Sequence, residues 1–173
     1  MEIKRLRESE YGGMPFTMQY TTNGYYDVIC EEDGFRIEYK KLETPERVTY
    51  TDSLFAEWID GAIDFGAFDG EKLLGFVEGM HEKWNNRLRI CNLCVLEEAE
   101  KGSGVGTALM QAILAEGRRL GARMAVLETQ NRNENAIAFY RKLGFRLIGL
   151  DMYCYSNEDP ERHDVRLEMG MPL

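Results

Sequence analysis

Residues 101–107 read Lys101-Gly102-Ser103-Gly104-Val105-Gly106-Thr107, after an apolar stretch at Leu88 to Val95 and before a helical one. Glycines at alternate positions let a backbone approach a ligand closely. A helix that begins there presents unpaired amides at its positive end. A diphosphate suits such a turn, although the run also serves as a plain helix start. It is not a Walker loop, because Gly-Lys-Ser/Thr is missing from its end. It is a poor dinucleotide fingerprint as well, because it comes late, behind several antiparallel segments.

Downstream, Val105, Leu109, Ala112 and Ile113 recur at the spacing of one apolar stripe, which predicts a helix running to about Leu120 and stopping at Gly121. Met124 to Glu128 reads as a strand that is apolar on both faces. A second helix is predicted over about 134–143, with Ala136, Phe139, Tyr140 and Leu143 on one face and Gly144 at its cap. Phe145 to Tyr155 and Asp164 to Met169 read as the closing strands. Upstream, Ile63–Phe68 and Lys72–Met80 form a hairpin across Asp69-Gly70, and Asn85-Asn86 turns into Leu88–Val95. Ile3 to Leu6 fits a first strand, Gly34 to Tyr39 a half-buried strand with Phe35, Ile37 and Tyr39 inward, and residues 53–60 a short helix. Residues 8–34 show no clear pattern. The order predicts an α/β protein: a mixed, mostly antiparallel sheet with one parallel crossover and flanking helices. No repeat, linker or break in composition divides it, so residues 1–173 read as one domain.

The 173 residues are 44% hydrophobic and 29% charged, which excludes a wholly disordered chain. No apolar run is long enough to span a membrane, and Met1 to Leu6 lacks the apolar stretch of a secretory signal, so a cytosolic protein is expected. The net charge is −9, carried by residues 1–80, while residues 81–173 balance. An acidic chain with no basic block argues against general nucleic-acid binding. Cys30, Cys91, Cys94 and Cys154 are too few for a disulfide framework, and Cys91-x-x-Cys94 lacks the second pair of a structural zinc site. Both of its thiols, three apart in a strand, read as buried and inert, and no metal is expected.

Leu93-Cys94-Val95, then Lys101-x-x-Gly104-x-Gly106, then Asn133-x-x-Ala136-x-x-Phe139-Tyr140-x-x-x-Gly144-Phe145 resemble the coenzyme A core of the GNAT N-acetyltransferase superfamily, in the right order over about residues 62–150. The resemblance implies a GNAT fold with an acceptor-side part at 1–61, the core at 62–150 and C-terminal strands at 151–173. A narrower resemblance, to streptothricin (nourseothricin) acetyltransferases, lies in Trp84-Asn-Asn-Arg-Leu88, Leu127-Glu-Thr-Gln130 and Gly149-Leu-Asp-Met-Tyr-Cys-Tyr155. Residues 1–60 match less clearly. A homodimer is common in the superfamily, and no interface is legible in the sequence.

What this implies is direct transfer of acetyl from acetyl-CoA to a primary amine of a cationic small molecule. By position, the amides of Leu93, Cys94 and Val95 would pair with the pantetheine arm. Those of Gly102, Ser103, Gly104, Val105, Gly106 and Thr107 would hold the diphosphate. Lys101 stands where the family usually has Arg or Gln and would add a point charge. Asn133 would bond the coenzyme, and Tyr140 would be the general acid; on spacing alone Tyr140 also fits core packing. The base is less clear, because Cys91 and Asn92 replace the acidic positions often seen; Glu128 is the first substitute, with Glu78 and His81 behind it. Asp151, Tyr153 and Tyr155, two apart on one strand face, suit an ammonium group, and equally suit an ordinary sheet surface. Glu78 and Trp84 complete the acceptor candidates, and Trp84, like Trp58, also fits core or rim packing. Two other functions stay open: a GNAT acting on a protein lysine, N-terminus or polyamine, and an inert coenzyme A binding module.

Overall fold

A computed structural model describes residues 1–97, 99–100 and 102–173. The chain forms two compact units. One comprises 1–18, 51–127 and 172–173, the other 19–50 and 128–171.

In the first unit, β1 (Glu2–Arg5), β4 (Ile63–Asp69), β5 (Lys72–Glu82) and β6 (Arg87–Val95) pair antiparallel in that order. β7 (Met124–Gln130) then pairs parallel with β6, as predicted for a crossover through α2 (Val105–Arg119). Val105, Leu109, Met110, Ile113, Leu114 and Gly117 are the buried stripe of α2. The helix lies so close to the sheet that a Cβ on Gly79 would come within 2.8 Å of Ile113 Cδ1. The other face of the sheet carries Phe76 and Cys94, packed with Leu6, Phe16, Leu54 and Phe68; the Phe16 and Phe76 rings meet edge to face at 4.9 Å.

In the second unit, β8 (Arg146–Asp151) pairs antiparallel with β9 (Arg166–Pro172). A long ribbon of β2 (Pro15–Glu31) and β3 (Gly34–Ser53) supplies residues 19–50. Val28, Ile137, Val165 and Leu167 form the core of this unit, with α3 (Glu134–Lys142) contributing Ile137. Asn131 is wholly buried with every side-chain group bonded: Nδ2 donates to the carbonyls of Tyr26 and His163, and Oδ1 accepts from Val165 N. α3 ends in a Schellman motif. Phe145 N–H returns to the Tyr140 carbonyl, Gly144 N–H to that of Arg141, and Gly144 takes φ +99, which only glycine adopts freely.

Several expectations need correction. Residues 53–60 are turns rather than a helix: β3 continues to Ser53, and Phe55 then adopts φ +56. Of the face expected to be buried at 34–39, only Ile37 packs inward. Phe35 is 57% exposed, and the Tyr39 phenol is drawn outward to donate to Glu134. The unreadable stretch at 8–34 holds α1 (Glu8–Tyr11) and the whole of β2. The strand expected over 145–155 stops at Asp151, where Asp151 Oδ1 accepts the N–H of Tyr153. Such an Asx contact competes with the ladder and bends the chain. A short helix, α4 (Asp159–Arg162), follows. None of the four cysteines is in a disulfide; Cys94 is buried, and burial pushes it up to about 11, but Cys91 is only half-buried. Among the described residues no helix is long and apolar enough to cross a membrane.

Candidate active site

β6 is irregular where it matters. Glu78 pairs with Asn92 but Gly79 with Ile90, so Cys91 is an extra residue that bulges out of β6. The parallel ladder to β7 ends at the same point, Ile90↔Leu127. Beyond it, Asn92 to Val95 pair with β5 on one edge and take no part in the β7 ladder on the other. A bulge adds twist and ends regular pairing, and strand edges released this way accept an extended ligand. Leu93, Cys94 and Val95 are the residues so released.

The turn that follows starts α2. Gly104 caps the helix at φ +81, Gly102 has the same φ, and among the described residues no side chain hydrogen-bonds the cap. Ala108 N–H is bonded to the Gly104 carbonyl, and the amides of Val105, Gly106 and Thr107 lie in the first turn, where a helix leaves backbone donors over. A Cβ built on Gly102 or Gly104 meets nothing within 4 Å among the described residues, so the turn itself is uncrowded. Open space, free donors and the helix dipole fit a diphosphate. Gly102, Ser103 and Gly104 are exposed, and Gly106 and Thr107 half-buried. Lys101 lies outside the described residues.

Glu78 is not on a surface that an acceptor could line. It is wholly buried, with Oε2 accepting from Asn92 Nδ2 at 2.7 Å and Oε1 from Phe55 N at 2.6 Å. Burial pushes it above the usual carboxylate range, and the two donors offset part of that. His81 bonds Asn86 at the β5–β6 turn. Trp84 sits in that same turn, 85% exposed, at the opposite end of β6 from the glycine turn. At about 3.3 Å per residue, the strand separates the two ends by roughly 30 Å. It lines a groove of about 640 Å³ with Trp58, Arg5, Glu82 and Arg119, so neither tryptophan is a core residue.

In the second unit Tyr140 is half-buried on α3, its ring against Phe139 and Phe145, and burial pushes the phenol up to about 12. Its hydroxyl has no hydrogen-bond partner among the described residues. Asn133 Oδ1 caps α3 by accepting from Ala136 N, so that oxygen already has a structural task. Glu128 is exposed at the end of β7 and pairs with Arg166 at 3.5 Å. The same guanidinium meets Asp151 at 3.7 Å and Glu168 at 3.6 Å, drawing together carboxylates from three strands. Tyr153 points to solvent, 74% exposed. Tyr155 stands on the bend after β8; burial and the Glu128 carboxylate hold its phenol above the ordinary range. Tyr20 on β2 is similarly raised by burial and bonds Gln130 beside Glu128. Tyr20 and Arg166 were not singled out in the sequence, and Gln130 entered only as the end of the segment 127–130, because nothing marks a lone Tyr, Gln or Arg in a strand. Among the described residues no three His, Cys, Asp or Glu side chains gather to hold a metal.

The model of the acetyltransferase (GNAT) family matches residues 31–145, more than the core legible by motif alone. Streptothricin acetyltransferase of Streptomyces lavendulae is 31% identical over 163 residues, covering 88% of this chain and 84% of that one. The crystal structure of nourseothricin acetyltransferase superposes with a TM-score of 0.79 at 30% identity, over 99% of this chain and 97% of that one. The fold is also that of a putative streptothricin acetyltransferase from Bacillus anthracis str. Ames, solved in complex with acetyl coenzyme A (TM-score 0.71, 22% identity, 99% of each chain). With an open, glycine-started helix behind a bulged strand, and a family match across most of its length, this chain belongs to the GNAT family and is an acetyl-CoA-dependent N-acetyltransferase.

Proposed function

We propose that this enzyme acetylates a primary amine of a streptothricin-type antibiotic in the cytosol and so confers resistance. The similarity to the Streptomyces lavendulae enzyme carries this reading, because it extends over 88% of the chain, well outside the coenzyme core. The acidic N-terminal half, which carries the whole net charge of −9, suits a polycationic acceptor.

In this reading the amides of Leu93, Cys94 and Val95 hold the pantetheine arm. Those of Gly102 through Thr107 hold the diphosphate, with the Thr107 hydroxyl and the Lys101 charge beside them and the remaining amide of Asn133 available to the coenzyme. Acetyl-CoA supplies an activated acyl group as a thioester. Glu128 takes the proton that the attacking amine loses, and its ion pair with Arg166 holds the carboxylate in place. Tyr140 gives a proton to the departing thiolate. A phenol raised to about 12 is fully protonated at neutral pH, and without a competing partner its proton is available. Asp151 and Tyr155 attract the acceptor's ammonium groups, with Tyr153 at the rim.

A thiol-release assay with acetyl-CoA and a panel of amines tests the proposal. Turnover of streptothricin at the highest kcat/KM supports it. Preference for peptides or spermidine replaces the acceptor, and tight coenzyme binding without turnover of any amine makes the protein a binding module.

A further inference from the structure

Asp64 on β4, Glu78 on β5 and Asn92 on β6 are direct cross-strand partners, 64↔78 and 78↔92, so their side chains form one row on the sheet face away from α2. All three are buried, Asp64 and Glu78 completely. The two carboxylates are served unequally. Each oxygen of Glu78 accepts an N–H, from Asn92 and from Phe55, while neither oxygen of Asp64 has a hydrogen-bond partner among the described residues. A buried carboxylate without donors is costly as an anion, and two adjacent carboxylates without a cation between them favour one proton for the pair. The other charges bearing on the row are few: Arg5 on β1 acts on Asp64, and Asp52 at the end of β3 acts on Glu78. Arg5 is itself held by Glu116 of α2 at 3.0 Å.

We infer that Asp64 and Glu78 carry one proton between them, with Asp64 the neutral acid and Glu78 the carboxylate, and that Glu78 in this state is a positioning residue for the reaction. Its two donors show what it positions. Asn92 directly follows the Cys91 bulge, where β6 leaves the β7 ladder. Phe55, at φ +56, heads the connection from β3 to β4. An ionised Glu78 ties these two segments to one point inside the sheet. The neutral acid beside it keeps a second negative charge from pushing them apart. Burial and the neighbouring Glu78 charge set the Asp64 carboxyl at about 8, so the pair holds its proton through the neutral range and loses it on the alkaline side.

The shared proton stands on geometry alone, whereas the positioning role rests on the acetyl-transfer reading, so each has its own readout. Infrared spectra of the full chain from pH 6 to 10 should show a protonated-carboxyl band that fades through about pH 8. The band should be absent in Asp64→Asn, and in Glu78→Gln its midpoint should move to lower pH. No such band in the wild type, its survival in Asp64→Asn, or an unmoved midpoint in Glu78→Gln overturns the pair. For positioning, Glu78→Gln should lower kcat with streptothricin by on the order of tenfold. Glu78→Asp should recover part of the loss, and acetyl-CoA affinity by calorimetry should be kept. If Glu78→Gln fails to fold, Asn92→Ala removes one of the same bonds and carries the test. Wild-type kcat in the variant used overturns the positioning role. A wild-type enzyme that turns over no amine overturns the acetyl-transfer reading and with it the positioning role, while the infrared arm still decides the pair.

Discussion

Ile90 is the last residue of β6 to pair with β7, facing Leu127, and the bulge at Cys91 follows it immediately. The strand is thus regular up to that pair and freed from β7 after it, within nine residues that a periodicity argument treats as one element. The freed segment leads directly into the glycine turn that starts α2.

Gly104→Asp should abolish acetyl-CoA binding. Position 104 has φ +81 at the head of α2, and a carboxylate there places a negative charge where a diphosphate must sit. Calorimetry should show a loss on the order of 100-fold or more. Affinity equal to the wild type would put the ligand elsewhere.

Tyr140→Phe keeps the ring packing against Phe139 and Phe145 and removes only the proton. A fall in kcat of about 10²- to 10⁴-fold is expected, with coenzyme affinity held. Unchanged turnover would take Tyr140 out of the mechanism.

Acceptor recognition should respond to Asp151→Asn and Tyr155→Ala. A single charge or cation–π contact at a partly exposed site contributes about 1 kcal/mol, so each change should raise KM for a cationic acceptor by roughly five- to tenfold. KM for acetyl-CoA should not move. Equal effects on both substrates would assign these residues a structural role instead.

Stability should depend on pH through Asp64 with a definite sign. Its carboxyl is raised from 3.8 to about 8, so the folded state binds a proton that the unfolded chain has released. Its contribution to stability is therefore fully present below about pH 4, falls as pH rises toward 8, and is flat beyond. The loss attributable to this group is at most about 6 kcal/mol over that window. Urea unfolding of Asp64→Asn across pH 4–9 should lack this component; a parallel pH dependence in wild type and variant would refute it.

Glu116 has the opposite sign. Hydrogen bonds from Arg119 and Arg5 hold its carboxyl at about 2, so its contribution is present above the unfolded value of 4.5 and disappears as pH falls through about 2. With Arg119 largely exposed, Glu116→Gln should cost only about 1 kcal/mol at pH 7, and nothing at pH 2.

Local rules were enough for the elements that repeat regularly. The apolar stripe from Val105 to Ile113 marked α2, Gly144 marked the end of α3, and Asp69-Gly70 the hairpin, because each depends on neighbours within one turn of chain. They missed β2 and found only residues 34–39 of β3. A long ribbon with partly exposed faces has no strict alternation to read, and Phe35 on it stays in solvent. They failed again after Asp151, where one side-chain contact to Tyr153 N–H ends a strand whose residue types would have let it continue.

The order of elements from β4 to α3, the glycine-started turn and the candidate phenol at Tyr140 were therefore legible in the sequence alone, since they rest on periodicity, backbone freedom and motif spacing. Tertiary structure decided which carboxylates matter. Glu78 and Glu128 look alike in the chain, yet one is sealed in the sheet beside Asp64 and the other stands exposed against Arg166. Burial and partner charges set a carboxyl's protonation, and both come from residues distant in sequence, such as Phe55, Asn92 and Arg166.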